Sequence, residues 1–289
     1  MKQKEIGIGF VGAGGNTKLR HLPGFRNIDD VRLVSVANRS EASSRAVAEA
    51  FGIEKIALEW RAVVNDPEVD AICIGTWPYM HAEVTIAALE AGKHVLTEAR
   101  MASDLDGARK MLEASKAHPE SVAQIVPSPF TLDQDQRVKT ILESGELGEI
   151  REIFIDHATS ALLDPDTPMS WRQDPRYSGV NMLTMGIYHE VIQRWFPEME
   201  LRVTAAEGRV FTPERSHWES GERMTVELPD CLHILGTAGV NAVLNYHFSG
   251  VESGPTRNEI RLVGSKGALR LDVGNARLFQ SDASGNEAE

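Results

Sequence analysis

Ile6-Gly7-Ile8-Gly9-Phe10-Val11-Gly12-Ala13-Gly14-Gly15-Asn16-Thr17 begins as a short run of apolar and small residues and ends in a glycine cluster. Two glycine frames overlap in it. Gly7 to Gly12 matches G-x-G-x-x-G by letter but lies within the run that reads as a strand. A phosphate loop has to follow its strand, so Gly12-Ala13-Gly14-Gly15-Asn16-Thr17 is the working frame. There Gly12 makes the tight turn and Gly14 lets backbone approach a pyrophosphate. A helix starting near Asn16 aims its N–H groups at the anion. Thr17 replaces the third glycine, whose task is close helix–strand packing.

The next apolar run, Arg32–Ala37, ends in Asn38-Arg39-Ser40. An NAD site places Asp or Glu at this point for the ribose hydroxyls, and a carboxylate there repels a 2′-phosphate. Arg39 is suited to clamp that phosphate, with Asn38 and Ser40 beside it, so the expected cofactor is NADP, NAD being the alternative. The plainer reading is a surface arginine next to an N-cap serine.

Strand-like runs recur at Ala71–Gly75, His94–Thr97 and Val122–Val126. Between them helical periodicity appears at Ala42–Ala50, His81–Ala91 and Leu105–Lys116, with Gly92 placed as a C-terminal cap and Ser103–Asp106 as a capping box. Alternation of this kind predicts an α/β domain with a doubly wound parallel sheet, a Rossmann arrangement, over residues 1–126. After Pro127 the pattern changes. A helix near Leu132–Leu142, a strand near Ile150–Thr159 and a helix from Asn181 to Phe196 precede long alternating runs at Cys231–Thr237 and Val240–Phe248. These predict an α+β domain over 127–289 with a mainly antiparallel open sheet. Past Leu271 the hydrophobic signal fades, so the tail from about 274 is expected to be disordered.

Of 289 residues, 42 % are hydrophobic and 25 % charged, as in ordinary globular chains, and the formal net charge is −12. That balance argues against a nucleic-acid backbone partner and disfavours an anionic membrane surface. No run reaches the roughly 18 apolar residues of a membrane span, and the apolar stretch near the N-terminus is too short and glycine-rich for a secretion signal. Two cysteines, Cys73 and Cys231, sit far apart in apolar runs and read as free thiols in a reducing compartment. A cytoplasmic location is expected. His157, His189, His217, His233 and His247 are scattered without the spacing of a zinc site, so no metal is expected.

Gly92-Lys93-His94-Val95-Leu96-Thr97-Glu98-Ala99-Arg100-Met101-Ala102 resembles the A-G-K-H-V-x-x-E-K-P segment of the Gfo/Idh/MocA oxidoreductases, which act on sugars and polyols. Glu98 matches; Ala99 and Arg100 replace the Lys and Pro. Gly75-Thr76-Trp77-Pro78-Tyr79-Met80-His81 resembles the family's T-P-N-x-x-H loop beside the nicotinamide, matching at Thr76 and His81. Trp77 there stacks on cofactor, closes the substrate pocket or packs between domains. In the helix 181–195, Gly186 and Arg194-Trp195 set the frame of the family's D-x-G-x-H motif, which puts Thr184 at the Asp position and Tyr188 at the His position. Trp171-Arg172 resembles the W-R loop preceding that helix. The likeness spans residues 5 to 271. Relatives continue with a further strand and helix, which implies a short or truncated C-terminus here.

The resemblance implies an NAD(P)-dependent oxidoreductase moving a hydride to or from a carbinol or carbonyl of a sugar or polyol, as a homodimer or homotetramer. Glu98 would orient the nicotinamide and Tyr188 exchange the proton, aided by a cation such as Arg100 or protonated His189. Thr184, one helical turn from Tyr188, and Arg100, Trp171 and Arg172 would place the substrate. Tyr188 also reads as an amphipathic core tyrosine, and His189 as structural. With the Lys absent at 99, two other classes stand beside this one: a transient-redox lyase or hydrolase, and a nucleotide-retaining ligand-binding or regulatory protein.

Overall fold

The computed structural model describes residues 5–289; residues 1–4, with which the expected first domain begins, lie outside the described residues. Two compact units result, one running to Pro127 and including Arg176–Gly179, the other comprising Ser128–Pro175 and Val180–Glu289. The return of four residues to the first unit is something no single cut in the chain anticipates.

In the first unit, β1 (Ile6–Val11), α1 (Leu22–Arg26), β2 (Val31–Ala37), α2 (Glu41–Phe51), β3 (Lys55–Ile56), α3 (Trp60–Val64), β4 (Ala71–Ile74), α4 (His81–Glu90), β5 (His94–Thr97), α5 (Leu105–Ala117) and β6 (Ala123–Ile125) follow in order. The strands form one sheet ordered β3-β2-β1-β4-β5-β6, with every pair parallel. Val11, Val34, Ile72 and Ile74 join one core cluster and Ile8, Phe10, Val36 and Cys73 another. Successive residues of β1 and β4 thus serve opposite faces, so their runs are apolar throughout. A five-residue π turn, Thr17–His21, precedes α1. The helix α5 is capped by Asp104, whose carboxylate accepts from Gly107 N at 2.7 Å, one residue later than the box read from the sequence.

The second unit contains α6 (Asp135–Ser144), β7 (Ile150–Ala158), α7 (Pro175–Ser178, shared with the first unit), α8 (Met185–Trp195), β8 (Leu201–Arg209), β9 (Glu214–Ser216), β10 (Arg223–Thr225), β11 (Cys231–Ala238), β12 (Ala242–Ser249), β13 (Arg257–Gly264), β14 (Gly267–Asp272), β15 (Arg277–Asp282) and β16 (Glu287–Ala288). Eight strands form a sheet ordered β16-β15-β14-β13-β7-β12-β11-β8. All its pairs are antiparallel except β7 with β12. One face carries the core: Ile153, Ile155, Leu244, Phe248, Ile260 and Leu262 pack with Tyr188, Val191, Ile192 and Trp195 of α8. The other face is open, which is why β11 and β12 alternate buried and accessible residues.

Two expectations are corrected. The tail past 274 is not without structure: β15 pairs with β14 over Arg277–Asp282, and Leu278 is buried in the core. Its single apolar anchor is too sparse a pattern to read. The helix expected from Asn181 begins at Met185, because Leu183 and Thr184 take left-handed backbone angles. No helix among the described residues is long and apolar enough to cross a membrane.

Ile153 is fully buried on the central strand β7. Replacing it with Ala is expected to cost about 2–5 kcal/mol, read as a lowered urea midpoint with unchanged slope. A loss below about 1 kcal/mol would show that the core re-forms around the gap.

Candidate functional site

At the C-terminal edge of the parallel sheet, β1 turns at Gly12, whose φ is +81° and whose Hα side lies against Thr76; a Cβ there would fall 2.5 Å from Thr76 N. Thr17 is buried beneath the loop. A Cβ on Gly75 would meet Thr17 Oγ1 at 2.0 Å, so the bulk added at the third-glycine position is accommodated by a missing side chain on the end of β4. The close helix–strand packing of the motif survives with the glycine moved to the partner strand.

A cleft of about 750 Å³ opens beside this turn, lined among others by Gly12, Gly14, Asn38, Arg39, Thr76 and Trp77. Its other charged lining groups are Lys18 and Glu59. Thr76 Oγ1 is buried without a hydrogen-bond partner. Arg39 lies over the Trp77 ring with 4.9 Å between guanidinium carbon and ring centre, and Trp77 meets Tyr177 edge-on at 4.9 Å. A cleft that brings together glycine backbone, the cations Lys18 and Arg39 and an orphaned hydroxyl suits a dinucleotide.

Asn38 lines the cleft but is spent on holding the loop, and other residues singled out as cofactor contacts lie outside the lining. Asn38 Oδ1 accepts from Ala13 N at 2.7 Å and Asn38 Nδ2 donates to Ser43 O, so this side chain holds the loop in place. Ser40 caps α2 by accepting from Ser43 N. His81 is buried, with Nδ1 at 2.7 Å from Arg100 O and Nε2 at 3.0 Å from Thr76 O. Burial lowers its imidazole below the usual value despite those carbonyls. It therefore secures two loops rather than lining the cleft, a correction to its expected role. Gly15, Asn16 and Glu98 are likewise outside the lining.

Glu98 directly follows β5 and is held by residues of the segment after the glycine loop. Asn16 Nδ2 donates to its Oε1, and His21 Nε2 lies 2.5 Å from the same oxygen. Burial by itself would raise this carboxyl; the bonds from His21, Asn16 and the Ala99 amide outweigh it and hold Glu98 below the usual carboxylate range. The Ala99–Arg100 peptide is cis. Arg100 Nη1 donates to Ser178 O at 3.1 Å, so its guanidinium is engaged within the first unit.

The second unit has a polar cavity of about 190 Å³ lined by His157, Ser170, Arg172, Asn181 and Thr184 among others. Asn181 Nδ2 donates to Arg172 O at 3.2 Å, and the Arg172 guanidinium lies over the Trp171 ring at 4.4 Å. Thr184 precedes α8 in the left-handed region and its hydroxyl donates to Leu183 O, so it does not share a helical face with Tyr188 as expected. A Cβ on Gly186 would have no described heavy atom within 4 Å, so that glycine does not make room for a neighbour.

Tyr188 needs the largest correction. It is fully buried among Phe130, His157 and Phe248, and its hydroxyl lies 3.0 Å from His157 Nδ1 and donates to Asn258 Oδ1 at 2.5 Å. Burial raises its phenol well above 10, the opposite of what a proton-exchanging tyrosine needs. His189 does not supply a cation: burial lowers its imidazole, and its Nδ1 lies 3.3 Å from Tyr246 Oη.

Sequence reasoning missed Lys18, His21 and His157. Lys18 and His21 follow the glycine loop at helical spacing, which is a usable signal. For His157 there is none in its neighbourhood, since its partners Asn258 and Phe248 come from β13 and β12 through strand register. Burial lowers the His157 imidazole against the raising influence of Asn258 and Asp156, which favours the neutral ring. With the Tyr188 hydroxyl donating to Asn258, Nδ1–H of His157 donates to Tyr188 and Nε2 is the acceptor.

A doubly wound parallel unit with a glycine turn at its sheet edge, followed by a mainly antiparallel α+β unit, is the two-part architecture of the nucleotide-dependent oxidoreductase class. Residues 6–124 match the oxidoreductase family with the NAD-binding Rossmann fold, and residues 136–270 match the GFO/IDH/MocA C-terminal domain. The chain belongs to the Gfo/Idh/MocA family.

It is 27 % identical over 222 residues to levoglucosan dehydrogenase of Pseudarthrobacter phenanthrenivorans, covering 70 % of this chain and 56 % of that protein. It is also 27 % identical over 272 residues to dTDP-3,4-didehydro-2,6-dideoxy-alpha-D-glucose 3-reductase of Saccharopolyspora spinosa, covering 93 % and 75 %. The solved levoglucosan dehydrogenase in complex with NADH and levoglucosan shares the fold at a TM-score of 0.83 and 23 % identity, covering 98 % of this chain and 78 % of that one. The chain therefore spans little more than half of the first of these relatives and three quarters of the second.

Two measurements check this geometry. Gly75→Ala is expected to destabilise the chain by about 1–3 kcal/mol through overpacking, with Thr17→Gly restoring part of the loss in the double variant; simple additivity would place the strain elsewhere. Because the Glu98 carboxyl is depressed, its stabilisation is complete above the unfolded value of about 4.3 and is lost as pH falls through the lower folded value. The stability gap between wild type and Glu98→Gln should therefore still be present at about pH 5 and close in more acid solution. A gap that persists in acid would place the loss elsewhere.

Proposed function

We propose that the protein is an NAD(P)-dependent oxidoreductase, NADP preferred, acting on a carbinol or carbonyl of a sugar, polyol or related small molecule. The observation that carries this reading is the cleft at the sheet edge, lined by Gly12, Gly14 and Arg39 and by Thr76 with its unpartnered hydroxyl. Names of relatives support the substrate class, since they are a dehydrogenase and a reductase of sugar derivatives.

Gly12 and Gly14 would take the pyrophosphate against backbone, with Lys18 adding charge. Arg39, 4.9 Å over the Trp77 ring, would take a 2′-phosphate, since the Asn38-Arg39-Ser40 segment directly after β2 has no carboxylate to repel one. Thr76 offers its hydroxyl to the ribose. When bound, the nicotinamide supplies the hydride exchange. Glu98 stays ionised and keeps Asn16 and His21, and so the head of the helix after the loop, in register with β5.

On the substrate side, the reading moves from Tyr188 to His157. A neutral imidazole whose Nδ1–H is engaged by Tyr188 presents Nε2 as a base for a hydroxyl proton. Tyr188 and Asn258 are positioning residues that set the tautomer. Arg172 and Asn181 line the same cavity and would offer N–H donors to hydroxyl groups, while the Thr184 hydroxyl, which donates to Leu183 O, would accept.

Titration with NADPH and NADH, followed by nicotinamide fluorescence, tests the cofactor reading. NADPH should bind more tightly, and Arg39→Ala should weaken it about 10-fold or more while leaving NADH nearly unchanged. Tighter NADH binding indifferent to Arg39 would make this an NAD site, and no binding of either would remove the oxidoreductase reading.

In a polyol and sugar screen, His157→Ala should lower kcat about 100-fold or more, and Tyr188→Phe should lower it less while shifting the pH profile. Conversion without net change in nicotinamide absorbance would indicate transient redox chemistry instead. Cofactor binding without turnover would indicate a ligand-binding protein.

A further inference from the structure

The open face of the second unit's sheet carries a row of directly opposed residues across five strands: Glu207 on β8, His233 on β11, His247 on β12, Asp156 on β7 and Glu259 on β13. Cys231 lies two residues from His233 on β11 and so projects from the same face. The pairing that builds the sheet thus brings together a thiol and two imidazoles from sequence positions with no metal-site spacing. This corrects the expectation that the histidines are merely scattered. One ligand atom from each of Cys231, His233 and His247 lies within 4.8 Å of the other two.

We propose that Cys231, His233 and His247, none of which lines either cavity described above, form a zinc-binding site on this open sheet face. The donor set decides the ion. One thiolate and two imidazoles suit a borderline-soft cation such as Zn²⁺, whereas calcium and magnesium take oxygen ligands. Zinc–sulfur and zinc–nitrogen bonds of about 2.3 and 2.0–2.1 Å set tetrahedral donor separations at roughly 3.5 Å. The three ligand atoms, within 4.8 Å of one another, need draw together by no more than about an ångström, which small side-chain rotations on fixed strands supply.

The rings of His233 and His247 already lie parallel, 4.4 Å between centres and 16° between planes. His247 Nδ1 is 2.9 Å from Asp156 Oδ1, which leaves Nε2 to ligate and supplies the carboxylate that orients a metal-bound histidine. Asp156 is itself fixed by Arg257, whose Nε donates to Oδ2 at 2.6 Å. Cys231 and His247 are half-buried and His233 is exposed, so an ion reaches the cluster directly from solvent. Three protein ligands leave the fourth position to water. Across β11 and β12 the ion would act as a staple on one hairpin.

The test is titration of the metal-free full chain with Co²⁺ and then Zn²⁺. The expected result is one equivalent of cobalt bound with a thiolate-to-metal charge-transfer absorption, displaced by zinc, and a zinc-dependent rise in melting temperature. Cys231→Ser should abolish the absorption and weaken zinc at least about 100-fold; His233→Ala, at an exposed position, should weaken it at least about 10-fold. Asp156→Asn should cost about 10- to 100-fold. Circular dichroism of the metal-free variants, matching wild type, separates lost ligation from lost folding. Absence of the charge-transfer absorption in wild type, or zinc affinity unchanged in both Cys231→Ser and His233→Ala, would overturn the proposal.

Discussion

The Glu98 carboxylate, at the end of β5, joins the two segments on which the nucleotide cleft depends. It receives Asn16 and His21 from the helical segment that follows the glycine loop, and so ties that segment to a strand two places away in the sheet. A carboxyl half-removed from water at a strand end would normally rise in pKa; three donors reverse the direction, and the charge becomes a fastening instead of a cost. The Gly12 turn, the buried Thr17 and the Gly75 end of β4 pack within the frame so fixed.

A similar principle operates in the second unit with hydrogen bonds of a different kind. Tyr188, Asn258 and His157 form a chain in which a buried phenol fixes which nitrogen of an imidazole carries the proton. Buried polar groups are costly unless fully partnered, and here each partner comes from a different element, α8, β13 and β7. The tyrosine is thus valuable for where it holds its neighbour, and its raised pKa is a consequence of that burial. The sheet has two faces with distinct chemistry: His157 turns toward α8 and the core, while Asp156, one residue before it, belongs to the polar row on the open side.

Much of the fold was legible from residue order. The apolar runs of β1, β2, β4 and β5, the positive-φ glycine at 12 and the alternation of β11 and β12 are local patterns, because strand and helix periodicity act within about ten residues. Short elements such as β3 and α3 carry too few residues to show a period. The late start of α8 was hidden for a different reason: Leu183 and Thr184 adopt left-handed angles that their side chains do not announce. In the candidate site, Gly12, Gly14, Arg39 and Thr76 line the cleft together with Asn38, which holds the loop, whereas Ser40 and His81 lie outside the lining and act as structural fixtures.

By itself the sequence determined the Rossmann unit, its glycine turn, the absence of a carboxylate after β2 and the family to which the chain belongs, since each is written in consecutive residues. Tertiary structure alone decided that Tyr188 is a buried support, that His157 is the imidazole in the polar cavity and that Cys231, His233 and His247 converge on one sheet face. The physical reason is strand register. Pairing places residues tens of positions apart within a few ångströms of each other, and no periodicity along the chain encodes which ones will meet.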